Sequence, residues 1–264
     1  MKKNKCNLPE ETNCRLAKVT IPKPHPLIGS KRVYQKEGLP YWFCKIGKDE
    51  FMHLYLEDLT IKDILFDSMT KKKREFKTKK ENNIGNYIIN ALNEEVLESK
   101  WIPVYEPSLS DIKEKLQFVP NVKPKVDLEC TDWEELFEQY SPENNSKMTN
   151  INIVFLLQLR WLKDGMLTVK SLTNPKYIGN YYCPGKPNKL EPTGTREIGG
   201  LYGFVGNTCN IVKDPSSKSG YSFVGGGFNY KSSEYSLANV YPIRKGCEFI
   251  IPNSVGIMEM KCEI

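Results

Sequence analysis

Fourteen of the eighteen glycines and eight of the fourteen tyrosines lie between residues 165 and 264. Glycine at that density interrupts helices and supplies positive-φ turns, while tyrosine favours strands. Turn-forming clusters recur at Asn174-Pro175, Pro184-Gly185, Pro192-Thr193-Gly194, Asp214 to Ser217, Gly225-Gly226-Gly227 and Pro252-Asn253. The runs between such clusters are roughly 5–9 residues long, the length of strands in a meander. The spacing predicts an antiparallel β-sandwich or jelly-roll-like domain over 148–264. Its last segment is the plainest: Met258, Met260, Cys262 and Ile264 alternate with Ile257, Glu259, Lys261 and Glu263, the pattern of a half-buried strand.

The start of that region is open to two readings. Asp164-Gly165 sits between the apolar-rich runs 151–162 and 167–172, a strong hairpin signal because a type I′ turn needs positive φ at both central residues. The same 151–162 run also fits a helix ending at Gly165.

The front of the chain differs. Pro22, Pro24 and Pro26 alternate with Lys23 and His25, which forbids a helix and predicts an extended docking arm over 1–40. Residues 41–147 are expected to form a mixed, largely helical adaptor region. It opens with two strands around Gly47-Lys48-Asp49, between Tyr41 and Leu56. Thr60 with Asp63 resembles a capping box. Ile84, Tyr87, Ile88 and Ala91 recur at helical spacing and place a helix over 83–99. Ser108 or Ser110 would cap a short helix carrying Ile112 and Leu116. Thr131 and Glu134 would box a helix carrying Leu136, Phe137 and Tyr140. Ser141 to Ser146 is the expected linker. The whole is therefore an α+β chain: an arm, a helical front and a β-rich back.

Composition narrows the chemistry. Charged residues are 27% and hydrophobic residues 39%, a balance that can bury a core without a metal or disulfide staple. The longest strongly apolar run, Ile153 to Leu157, is far short of the about 20 residues that span a bilayer, so no membrane insertion is expected. The basic start Met1 to Lys5 lacks a following apolar stretch, so folding in a cytoplasm is expected. None of the eight cysteines stands in a Cys-x-x-Cys pair, and the closest two are eight residues apart. Zinc spacing is absent, no metal or cofactor is expected, and the thiols read as small buried hydrophobes. With only His25 and His53, the usual Ser-His-Asp or Cys-His machinery has no candidates, and the chain reads as non-enzymatic.

Charge is segregated. Residues 1–80 carry a net +9, residues 81–147 −8, and residues 148–264 +5. Such a layout suits segments that meet one another or neighbouring copies. Lys71 to Lys80 holds seven basic side chains in ten, a phosphate-contacting patch on one reading and a solvated strip on the other. Its single aromatic, Phe76, offers little base stacking, which disfavours a nucleic-acid partner. Gly199 to Gly206 lacks the G-x-G-x-x-G order and the helix that a phosphate loop needs, so its glycines read as turns and kinks. Asp132, Glu134, Glu135 and Glu138 read as an acidic helix face rather than as paired catalytic acids. Tyr202, Tyr221, Tyr230 and Tyr235, set among Gly, Asn and Ser, have the composition of a recognition surface and are the candidate ligand or receptor contacts. The plainer alternative for each is cross-strand or core packing.

The run from Val240 through Lys245-Gly246 to Ile251, followed by Ile257 to Cys262, resembles the closing hairpin of tailed-bacteriophage fibre domains, with Lys245 and Gly246 supplying the turn. The resemblance implies a virion structural protein, a head or tail fibre, adaptor or decoration protein assembled in the host cytoplasm. It further implies a trimer that docks on other virion proteins by its N-terminal part. Its β tip would face outward, toward further copies or a host-surface glycan. From another class, the same tyrosines suit a lectin-like carbohydrate-binding module outside any virion.

Overall fold

The computed structural model describes residues 33–110, 115–176, 178–182, 184, 189–246 and 252–261. The α+β class holds: five helices accompany several antiparallel sheets. Pro22, Pro24 and Pro26 lie outside the described residues, as does most of the expected arm.

One six-stranded sheet organises the molecule. Its order is Val33–Gln35, Trp42–Ile46, Asp49–Leu54, Lys100–Pro103, Met258–Lys261 and Lys147–Met148, with every neighbour antiparallel. The first hairpin forms where the sequence places it, because Gly47 takes the φ of +61° that its two-residue turn demands. Met260 pairs with Trp101 and Met258 with Met148, so the closing strand lies inside a sheet built largely by the front of the chain. It is buried on both faces over Met258 to Met260, where the alternation predicts one wet face. Glu259 is the polar exception, satisfied by Thr149 at 2.8 Å and paired with Lys147 at 3.7 Å.

At the start of the expected all-β region, the helical of the two readings of 151–162 is the one realised, so that region is not all-β. Residues Ile151–Lys163 form a helix, α4 in chain order after α1 (Ile61–Leu65), α2 (Lys79–Glu94) and α3 (Cys130–Tyr140); α5 (Val169–Thr173) follows it. Asn150 caps α4 by accepting from the Ile153 amide at 3.0 Å. Gly165, at φ +74°, ends it instead of turning a hairpin. Every residue from Ile153 to Leu162 is buried. A helix apolar on all sides loses the 3.6-residue period that would announce it. α4 packs against α2, with Tyr87 stacked on Phe155 at 4.8 Å, and joins the strands in one core running from Tyr41 to Ile257.

Smaller differences have local causes. α2 starts at Lys79 because Thr78 and Glu81 form a capping box, and it ends at Glu94, short of the expected 99. Of the expected short helix after Ser108, Ile112 lies outside the described residues, while Leu116 stands in a strand: Leu116–Gln117 pairs with Ser108–Leu109, and Ser108 donates to the Gln117 carbonyl. α3 is boxed by Glu129 and Asp132, two residues before the expected pair. The expected linker is a tight turn: Ser146 donates to the Phe137 carbonyl and accepts from the Ser141 amide, binding α3 to the strand at Lys147. His53 is buried against Trp101, with ring centroids 4.9 Å apart. Cys44, Cys130 and Cys209 are buried, in keeping with the reading of the thiols as small buried hydrophobes.

Candidate aromatic recognition face

The four-stranded sheet runs Val240–Pro242, Tyr221–Val224, Cys209–Lys213, Ser254–Gly256, the last pair parallel. Alternation along Tyr221–Val224 sends Val224 into the main core and turns Tyr221 and Phe223 to the opposite face. α3 covers the Tyr221 end of that face. Tyr221 donates to Glu134 at 2.9 Å, and Gly256 lies so close under α3 that a Cβ there would stand 2.7 Å from Phe137 and 2.9 Å from Trp133.

The register pairs Phe223 with Tyr241, whose rings stack at 4.8 Å and 16° and are only half-buried. The loop 225–239 extends this pair. Gly225 at φ +74° turns the chain, and Gly226 lies where a Cβ would press on Tyr235 and Tyr230. Tyr235 therefore stacks on Tyr241 at 4.9 Å, and Tyr230 stands 4.5 Å from Tyr235. The result is a continuous half-exposed ridge, Phe223–Tyr241–Tyr235–Tyr230.

Backbone and amide contacts fix the ridge. Tyr241 donates to the Glu234 carbonyl and accepts from Asn239 at 2.7 Å. The amides of Tyr230 and Tyr235 donate to Gly227 and Lys231, and the Tyr182 amide donates to the Tyr230 carbonyl. Burial raises the Tyr230 and Tyr241 phenols above their ordinary range, so both are neutral hydroxyls at pH 7. Rigid ring faces with hydroxyls at their edges can stack an apolar ring face and exchange hydrogen bonds with its substituents.

Two of the four tyrosines picked out by composition, Tyr230 and Tyr235, are thus brought together. Tyr202 is elsewhere, stacked on Tyr105 at 5.0 Å and donating to Glu197, with its phenol pushed up to about 12 chiefly by burial. Tyr221 is withdrawn from the surface under α3. Lys245 and Gly246 form a turn, with Gly246 at φ +79°; residues 247–251, the first strand of the expected hairpin, lie outside the described residues, and the closing strand pairs with Lys100–Trp101 and Lys147–Met148. Phe223 and Tyr241 are the ridge members that the sequence left unmarked. The signal lay in their antiparallel register, which no local spacing displays.

A second feature lies on the other side of Tyr202. A small, half-open pocket of about 30 Å³ is lined by Tyr105, Glu106, Phe118, Tyr202, Phe204 and Met258 among others. Glu106 is buried, and burial pushes its carboxyl up to about 7 despite hydrogen bonds from Thr208 at 2.8 Å and from Asn207. Gly203, at φ +71°, lies against that carboxyl, where a Cβ would overlap it. Gly199, Gly200 and Gly206 also have positive φ, so this glycine run is turn geometry closed over a buried acid, as its spacing predicts. With both oxygens engaged by Asn207 and Thr208, Glu106 is an anchor for residues 207–208.

Among the described residues, no group of three or more His, Cys, Asp or Glu could hold a metal ion, and no helix is long and apolar enough to cross a membrane. Compared with models of protein families and with curated proteins, the chain matches none.

Proposed function

We propose that this protein is a non-enzymatic attachment module whose contact surface is the ridge Phe223–Tyr241–Tyr235–Tyr230, and that its ligand is a saccharide. The carrying observation is the continuity of four half-buried rings at centroid spacings of 4.5–4.9 Å, locked by backbone contacts. Such preorganisation lowers the entropy cost of binding, and sugar rings present the CH faces and hydroxyls that this ridge can meet. Screening wild-type protein on immobilised glycans tests it. Binding that falls at least tenfold in both Phe223→Ala and Tyr235→Ala, and survives Tyr202→Ala, supports the reading. Absence of glycan binding, or binding indifferent to the ridge, overturns it.

The wider setting we propose is a virion, as a fibre or adaptor that docks on other virion proteins and presents the ridge to a host surface. Gly246 in the left-handed region supports the fibre-like turn. Light scattering distinguishes the settings: a trimer stable to dilution supports the fibre, and a stable monomer leaves the lectin-like module alone.

A further inference from the structure

The segment 61–73 presents four of the six large apolar side chains exposed among the described residues: Ile61, Leu65, Phe66 and Met69, each 44–49% accessible. They do not belong to a loose loop. α1 runs directly into a short antiparallel pairing, Phe66 opposite Lys73 and Asp67 opposite Lys72. Asp67 ties the turn between them by accepting from the Met69 and Thr70 amides at 3.0 and 2.8 Å. From beneath, the buried Arg74 guanidinium donates to the carbonyls of Asp63 and Ile64 at 2.9 and 2.7 Å, and to that of Leu162 at 3.3 Å. The backbone is held to the core while its apolar side chains face water.

Charge sorts in the same direction. Lys62, Lys71, Lys72 and Lys73 are exposed and form no ion pair among the described residues. The two carboxylates of the segment are engaged at its base: Asp63 caps Thr60 and pairs with Lys163 at 3.4 Å, and Asp67 serves its own turn. An apolar centre flanked by unpaired lysines is therefore held rigidly outward.

We infer that this hairpin is a docking surface for an anionic lipid bilayer, with Phe66, Leu65, Ile61 and Met69 entering the headgroup–acyl boundary and the lysines lying at phosphate level. That occupant satisfies both halves of the patch. A nucleic acid would meet the lysines and leave the apolar side chains unmatched, with one ring to stack on. The contact is peripheral, and it uses a surface other than the aromatic ridge.

Flotation of the full chain with vesicles tests the inference, using phosphatidylcholine alone and an equal mixture with phosphatidylglycerol. Binding to the mixed vesicles only, weakening with salt, is expected. Converting Lys71, Lys72 and Lys73 to Gln should weaken it on the order of a hundredfold. Phe66→Ser with Met69→Ser should weaken it about tenfold or more. Val96→Ser, at the most exposed apolar side chain outside the patch, should change nothing. No vesicle binding, equal binding to both vesicle types, or binding indifferent to these variants overturns the inference. So does duplex DNA bound more tightly than the mixed vesicles, or a wild-type oligomer that falls apart in the Phe66→Ser, Met69→Ser chain.

Discussion

The side-chain amide of Asn207 donates to both carboxylate oxygens of Glu106, each at 3.0 Å. The contact ties the glycine-rich run after Gly199 to the chain just past the Lys100–Pro103 strand through a buried acid. Because burial lifts the Glu106 carboxyl from 4.5 to about 7, the folded chain holds a proton there that the unfolded chain releases. Stability is therefore fullest below about pH 4.5 and declines as pH rises toward 7, by about 3 kcal/mol from this group alone. Burial raises Glu259 in the same sense. Urea titrations of wild type and Glu106→Gln across that window should show the variant losing less stability than wild type. Parallel pH profiles for the two proteins would contradict it.

Gly199 sits at φ +55° beneath the indole of Trp161, which donates to the Gly199 carbonyl at 3.2 Å. A Cβ there would overlap the indole nitrogen. Gly199→Ala should cost on the order of 3 kcal/mol or more, from steric overlap added to backbone strain. Gly220→Ala, at φ +85° with open space around it, carries the strain alone and should cost less. Thermal melts of the two variants make the comparison.

Asn150→Ala removes the cap of α4 and should lower stability by about 1 kcal/mol. Asn150 also donates to Glu95 at 2.9 Å, so Asn150→Asp, which keeps a capping oxygen and gives up that donor, should retain part of the loss. Denaturant midpoints at constant slope would register both.

Gly256→Ala should shift α3 away from the four-stranded sheet, since Phe137 and Trp133 already occupy the space of its Cβ. An expected cost of about 1–3 kcal/mol should come with a change in tryptophan fluorescence from Trp133. An unaltered spectrum at full stability would show that α3 yields freely.

Ridge binding should be flat between about pH 6 and 9, because the phenols of Tyr230 and Tyr241 are held above their ordinary 10.0 and stay neutral throughout. Affinity measured across that range in the bound glycan's buffer series would expose any titrating contact.

How much of this could be read from the residues depended on the range of the cause. The hairpin across Gly47 was legible because its determinants are two adjacent positions, and α2 because Ile84, Ile88 and Ala91 keep one buried stripe. α4 was obscured by its own burial: an apolar residue on every side leaves no stripe, and Gly165 suits a helix end as well as a turn. Met258–Lys261 was recognised as a strand but not placed, since its partners near Trp101 and Met148 are remote in sequence. For the ridge, composition singled out Tyr230 and Tyr235. Phe223 and Tyr241 joined them only through a cross-strand register, and Tyr221 was lost to α3 by the same long-range assembly.

The pairing of Met260 with Trp101 also sets a timetable. Well over half of the 264 residues emerge from the ribosome between these two partners. Until residues 258–261 arrive, the strand at Lys100–Pro103 presents an open hydrogen-bonding edge beside buried-type side chains such as Trp101 and Ile102. The sheet is thus closed only once residues 258–261 have been made, and until then that edge is free to pair with a neighbouring chain.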